Sequence, residues 1–300
     1  MIERSSTSAW LFTVFRIAFG AYLCVHFAQL IPWAAELFSD TGVMPDADAN
    51  PALGFFGPVA ELLGTTGAAQ AVLVALLGLS VLFTLGLLRR ASALVLWLGW
   101  AYLLARNNLI LNPGIPYVGL LMLLCVLVPP GEPLALGRRR DPLWRMPYMI
   151  PLTVWIALGA GYSFSGYTKL ISPHWFDGSA MQLMLDNPLA RGSGVIESVP
   201  GWVFAVLTWG VIVAELLFLP TLLHHRTRKL AWIGMTCMHI GVLATIGFAD
   251  LTIGMLVTHL FVLEPRWIEQ LRRRRARRKQ SRYTPAHGGT GRHTSDTLRV

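Results

Sequence analysis

Long apolar runs alternate with short polar connections along this chain. The apolar runs fall at roughly 9–30, 68–88, 91–111, 115–128, 147–170, 200–222, 230–247 and 249–263. About 20 apolar residues in a helix cross the hydrocarbon core of a bilayer. The pattern therefore predicts an all-α, polytopic transmembrane helix bundle of about eight spans. The fourth and eighth runs are short for a full crossing, so one of them is a candidate re-entrant or split segment.

The polar connections predict the sidedness. With the N-terminus inside, the inward connections 89–90, 129–146 and 223–229 hold Arg89, Arg90, Arg138, Arg139, Arg140, Arg145, Arg226, Arg228 and Lys229. The outward segment 31–67 holds Glu36, Asp40, Asp46, Asp48 and Glu61 and no Lys or Arg. The positive-inside rule then puts both termini in the cytoplasm. The expected location is the cell inner (cytoplasmic) membrane, crossed several times. Segments 31–67 and 171–199 read as short interfacial helices and turns rather than a second domain.

Composition agrees with a lipid-facing surface. Only 14% of the 300 residues are charged, against about 25% in soluble domains. The net charge of +9 is concentrated at one end: residues 266–300 carry eleven Lys or Arg and two acids, whereas residues 1–265 carry fourteen of each. This divides the chain into a membrane domain, 1–265, and a basic tail, 266–300, expected to be cytoplasmic, disordered and in contact with membrane lipids. No aromatic platform accompanies the arginines, so no nucleic-acid partner is expected. Cys24, Cys125 and Cys237 lie in apolar runs without CxxC spacing and read as packing residues. The first run lacks a small-residue cleavage site and reads as a retained span.

Ionisable residues at membrane depth are costly and mark the candidate chemistry. Arg16 and Glu215 both fall in the cytoplasmic half of their runs, and a structural ion pair between them is one reading. His239, His26 and His259 suit hydrogen bonds across helices. Arg106, Asn107, Asn108 and Asn112 gather at the outer end of the third run. Lys169, in SGYTKLISPHWFDG, has two readings. It is an anchor snorkelling to the outer interface, or a base kept from water by Trp155, Tyr162, Phe164 and Tyr167. No HExxH, GxSxG or Walker loop occurs, and His174 with Asp177 is a lone loop pair, so no metal or nucleotide site is expected.

The residues around Lys169 resemble a known motif. Ser165, Gly166, Lys169, Leu170, Trp175 and Gly178 look like the lysine motif of the vitamin K-dependent gamma-carboxylase family, whose bacterial members are called HTTM (horizontally transferred transmembrane domain) proteins. Arg16 and Gly20 in FRIAFG resemble the family's opening Arg–x–x–x–Gly. RKLAWIGMTCMHIGVLATIGFADLTIGMLVTHLFVL resembles its late basic loop, histidine span and closing Gly–Met span. The resemblance covers roughly residues 8–265.

In that family the matching lysine deprotonates a vitamin K hydroquinone, which reacts with oxygen and drives carboxylation of a glutamate. The resemblance implies Lys169 as general base and a reduced menaquinone or similar hydroquinone as cofactor, with no metal. Arg106, Asn108 or Asn112 would stabilise a developing oxyanion. Trp175, Tyr162 and Tyr167 would line the pocket, with Arg16, Glu215 and His239 in support. Two features depart from the family. Its catalytic histidine, expected near the start of the fourth span, is replaced in NPGIPYVGLLML, where Asn112 is the nearest polar residue. Its large lumenal domain has no counterpart either. The expected function is thus a lysine-based, hydroquinone-dependent, lyase-like membrane enzyme acting at the extracytoplasmic face. The alternative is a non-catalytic accessory protein for maturation or export of a small secreted peptide. A transporter is less favoured, because no internal repeat is visible.

Overall fold

The computed structural model describes residues 8–46, 50–191, 194 and 198–283. Its α-helices are α1 (Ala9–Leu30), α2 (Ala34–Phe38), α3 (Pro58–Leu62), α4 (Thr66–Leu85), α5 (Arg89–Arg106), α6 (Ile115–Leu127), α7 (Met149–Leu170), α8 (Pro173–Phe176), α9 (Ala180–Leu185), α10 (Gly201–Leu216), α11 (Phe218–Thr221), α12 (His225–Thr245), α13 (Ala249–Phe261) and α14 (Pro265–Tyr283). Among the described residues the only strand-like pairing is one antiparallel bridge, Ala190 to Ile246. Each of the eight apolar runs contains a helix.

The helices start and stop where local chemistry dictates. Ser8 caps α1 by accepting from Leu11 N at 3.2 Å, and Thr65 caps α4 by accepting from Ala68 N at 3.3 Å. Gly86, at φ 77°, ends α4 in the left-handed conformation. Among the described residues three helices, Ala9–Phe38, Thr66–Leu85 and Met149–Leu170, are long and apolar enough to cross a membrane, or up to four when a bent pair counts as one span. Ile115–Leu127 and Gly201–Leu216 are apolar but shorter. The chain is an all-helical integral membrane protein.

The chain divides into Met1–Leu263 and Glu264–Val300. In the second unit, the expected disordered tail is helical over Pro265–Tyr283, and residues 284–300 lie outside the described residues. Glu264 pairs there with Arg266.

In the first unit α1 packs on α4 and α13, α5 on α4 and α6, and α7 on α6, α10 and α11. Small residues permit the closest approaches. A Cβ on Gly20 would lie 2.1 Å from Thr84 Oγ1, so α1 and α4 touch there. Phe12, Phe15 and Phe19 of α1 fill the core against Trp144, Phe261 and Phe83.

One end of this bundle is tied by two buried arginines. Arg16 donates to Phe83 O, Thr84 O and Leu134 O, and its Nε lies 3.4 Å from Glu132 Oε1. Arg89 donates to the same carboxylate at 2.8 Å and to Cys125 O, Val128 O and Pro129 O. The two guanidiniums thereby satisfy the free carbonyls where α4 and α6 end. We refer to this as the arginine end.

Candidate functional site

Lys169 owes its place to two glycines. α10 and α11 run antiparallel to α7, and a Cβ on Gly166 would lie 2.7 Å from Leu216 N, one on Gly159 2.7 Å from Leu219 Cδ1. The helices touch nearly backbone to backbone, so the Glu215 side chain reaches α7. Lys169 Nζ donates to Glu215 Oε2 at 2.7 Å and to Ser165 Oγ, one turn back, at 2.6 Å. It also sits 4.9 Å from the centroid of the Trp175 ring. The pair is nearly enclosed: side-chain exposure is 17% for the lysine and 6% for the glutamate. An ammonium has three donors; two meet oxygen and the indole face takes part of the charge.

α8, α9 and the first half of α10 continue past the end of α7. Gly178 lies against Ala205, and Trp209 Nε1 donates to Phe176 O at 3.1 Å. Lys169 is therefore roofed by protein. In this roof His174 Nδ1 stands 4.0 Å from Asp177 Oδ2, and both are exposed. Hydrogen bonds from the Ser179 side chain and backbone hold the Asp177 carboxyl below its usual range. Among the described residues no group of three His, Cys, Asp or Glu could hold a metal.

Seven residues before Lys169, and about 10 Å along the helix, Tyr162 faces the same way. Its Oη lies 2.7 Å from His239 Nε2 and 2.8 Å from His259 Nε2. All three residues are buried. A phenol has one proton, so it donates to one imidazole and accepts from the other. His259 Nδ1 is buried without a partner, so the tautomer with its proton on Nε2 is the one that strands no buried donor. In that tautomer the donors run from His259 Nε2 to Tyr162 to His239 Nε2. Phe218 packs on Tyr162 at 4.8 Å and floors an apolar groove of about 610 Å³ between α10–α11 and α12, whose walls include Trp209, Val213, Leu230 and Met235.

A third cluster lies where α1, α6 and α13 meet, at the end opposite the arginines. His26 Nδ1 is 2.7 Å from Asp250 Oδ1. Tyr22 Oη donates to the same oxygen at 3.1 Å, and Asn112 Nδ2 donates to Asp250 Oδ2 at 3.3 Å. The His26 ring stacks on Trp100, and among the described residues its Nε2 has no hydrogen-bond partner.

Several sequence expectations are corrected by this geometry. Arg16 does not pair with Glu215: its carboxylate is Glu132, and Glu215 belongs to Lys169. Lys169 is joined to neither Arg106 nor Asn112. Arg106 Nε donates to Phe38 O, Asn112 binds Asp250, and Asn108 is exposed. The reason is topological: α6 packs between α5 and α7. The aromatic wall is not assembled either. Helical phase carries Phe164 and Tyr167 to the side of α7 away from Lys169, where both are exposed. Trp155 packs on Phe218 near Arg228. Only Trp175 lies against the lysine. Tyr162 and His239, expected as wall and support, meet each other, and they recruit His259. Asp250 is the residue that sequence reasoning missed. Its signal was an acid opening a short apolar helix, with His26 and Asn112 at the same predicted end.

No curated protein and no solved structure matches the chain. One family model does, described as HTTM domain, over residues 4–267. The helical bundle, the glycine-supported lysine motif and that match lead to one conclusion: the chain belongs to the HTTM domain family.

Proposed function

We propose that this is an eight-span membrane protein whose Lys169–Glu215 pair performs proton transfer on a hydroquinone-like lipid at the extracytoplasmic face. The observation that carries the reading is the pair itself, a one-to-one ion pair under Trp175 with a partly open lysine. Intramembrane ion pairs are functional by default unless their donors are used up by the fold. The arginine-bearing connections argue for the arginine end in the cytoplasm, which puts Lys169 in the outer half of the bundle.

The residues suit a reduced quinone. The groove floored by Phe218 offers an apolar bed for a prenyl tail, next to Tyr162. Such a group supplies acidic hydroxyls and the electrons for oxygen when bound. For its part, Lys169 passes a proton from Nζ to Glu215 Oε2 across 2.7 Å. The amine so freed would be the group to take up a hydroxyl proton from a bound lipid. Ser165 keeps the amine aligned through the exchange. Asn112, standing where the family's histidine is expected, donates to Asp250, and that carboxylate holds His26. An imidazole is thus supplied to the cluster from α1, with Nδ1 fixed and Nε2 open as a base requires.

Oxygen uptake by purified protein with reduced menaquinone tests the reading. Wild type is expected to consume oxygen; Lys169→Ala is expected to stop it and His26→Gln to slow it. Absence of uptake by wild type rejects the proposal. The accessory role is favoured by a different observation: the roof beyond α7 exposes Phe176, Leu183 and Trp202, which suits a docking peptide. Recovery of a secreted peptide by cross-linking to this roof, unaffected by Lys169→Ala, decides for that role.

A further inference from the structure

Arg106 ends α5 away from the arginine end, and it is the odd cation of the bundle. Its side chain is buried, at 4% exposure, yet no acidic side chain pairs with it among the described residues. Nε donates to Phe38 O at 3.0 Å, while Nη2 is buried with no partner at all. Tyr102 lies one turn back on the same face. Its Oη is also buried without a partner. Two unpaired buried donors on one helix face are a rare arrangement.

The surroundings hold these donors in place. Asn50 Nδ2 donates to Ala105 O at 2.8 Å, which fixes the segment Pro51–Phe56 over the end of α5. Phe56 meets the Tyr102 ring edge-on at 5.5 Å. Beside this cover, Phe55 is 92% exposed, and Leu109 and Leu111 are exposed too. Arg16 and Arg89 are each met by several carbonyls and by Glu132, whereas among the described residues the partners of Arg106 amount to one carbonyl.

We infer that Arg106 Nη2 and Tyr102 Oη form a binding site for a phosphate-type oxyanion, separate from Lys169 and independent of the function proposed above. One oxygen accepts from the guanidinium and another from the phenol, a charge-assisted pairing of the kind that favours arginine. A phospholipid headgroup and free phosphate both present this chemistry.

Thermal unfolding of protein in a phosphate-free, non-ionic detergent tests the site, with short-chain phosphatidylglycerol in one arm and inorganic phosphate in the other. The wild-type midpoint is expected to rise saturably in at least one arm. A rise with the lipid only assigns the site to a headgroup, and a rise with inorganic phosphate assigns it to the free ion. Tyr102→Phe keeps the ring against Phe56 and is expected to need about tenfold more ligand, the loss of one hydrogen bond. Arg106→Gln is expected not to respond; should that variant fail to fold, Tyr102→Phe alone decides. No rise in either arm for wild type, or a Tyr102→Phe response at the wild-type concentration, overturns the inference.

Discussion

Two buried ion clusters in this bundle use charge in opposite ways. At the arginine end, two guanidiniums share one carboxylate, and backbone carbonyls at the ends of α4 and α6 take most of the remaining donors. Most of the donors at this end are spent on the fold. At Lys169 one cation meets one carboxylate, a serine and an indole face, and the lysine keeps some exposure. Burial alone therefore does not mark a reactive group. What separates the two is whether the fold itself consumes the donors.

Breaking the arginine cluster is expected to have the largest effect. Glu132→Gln leaves Arg16 and Arg89 buried without their anion, which costs on the order of 3–5 kcal/mol, read as a fall in the unfolding midpoint in detergent. Lys169→Met leaves Glu215 uncompensated and is expected to cost about 3 kcal/mol by the same logic. Adding Glu215→Leu should recover most of that loss, because a well-packed apolar pair replaces an ion pair at little net cost. No comparable rescue is available to the arginine cluster, where removing Glu132 and one arginine still strands helix-end carbonyls.

Smaller effects sharpen the contrast. Gly166→Ala pushes a methyl to 2.7 Å from Leu216 N, a backbone atom that cannot swing aside. We expect about 1–3 kcal/mol of destabilisation and a wider gap between Lys169 and Glu215, seen as lost oxygen uptake. Tyr162→Phe leaves His239 and His259 without their shared hydroxyl, at about 1–3 kcal/mol. Calorimetry or denaturant titration in detergent measures both.

Much of the architecture was legible from apolar run length alone, because helices in lipid must satisfy their own backbone. The lysine motif was legible too, since its small residues sit where α7 meets α10. Partner identity was not. Arg16 and Glu215 look matched by depth in a linear reading, but Glu132 belongs to a connection that folds back under the bundle, and no periodicity reveals that. Phe164 and Tyr167 are near Lys169 in sequence and opposite it in helical phase, which counting by seven would have exposed. Arg106 and Asn112 share an end with Lys169 but are separated from it by a helix, a matter of packing order rather than of pattern.

The central claim is that the charges at Lys169 and Glu215 serve chemistry, whereas those at Arg16, Arg89 and Glu132 serve the fold. Measuring unfolding midpoint and oxygen uptake together in the Lys169→Met, Glu215→Leu double variant tests it most directly. The account predicts a midpoint near that of wild type with uptake abolished. A double variant that still consumes oxygen at the wild-type rate would contradict it.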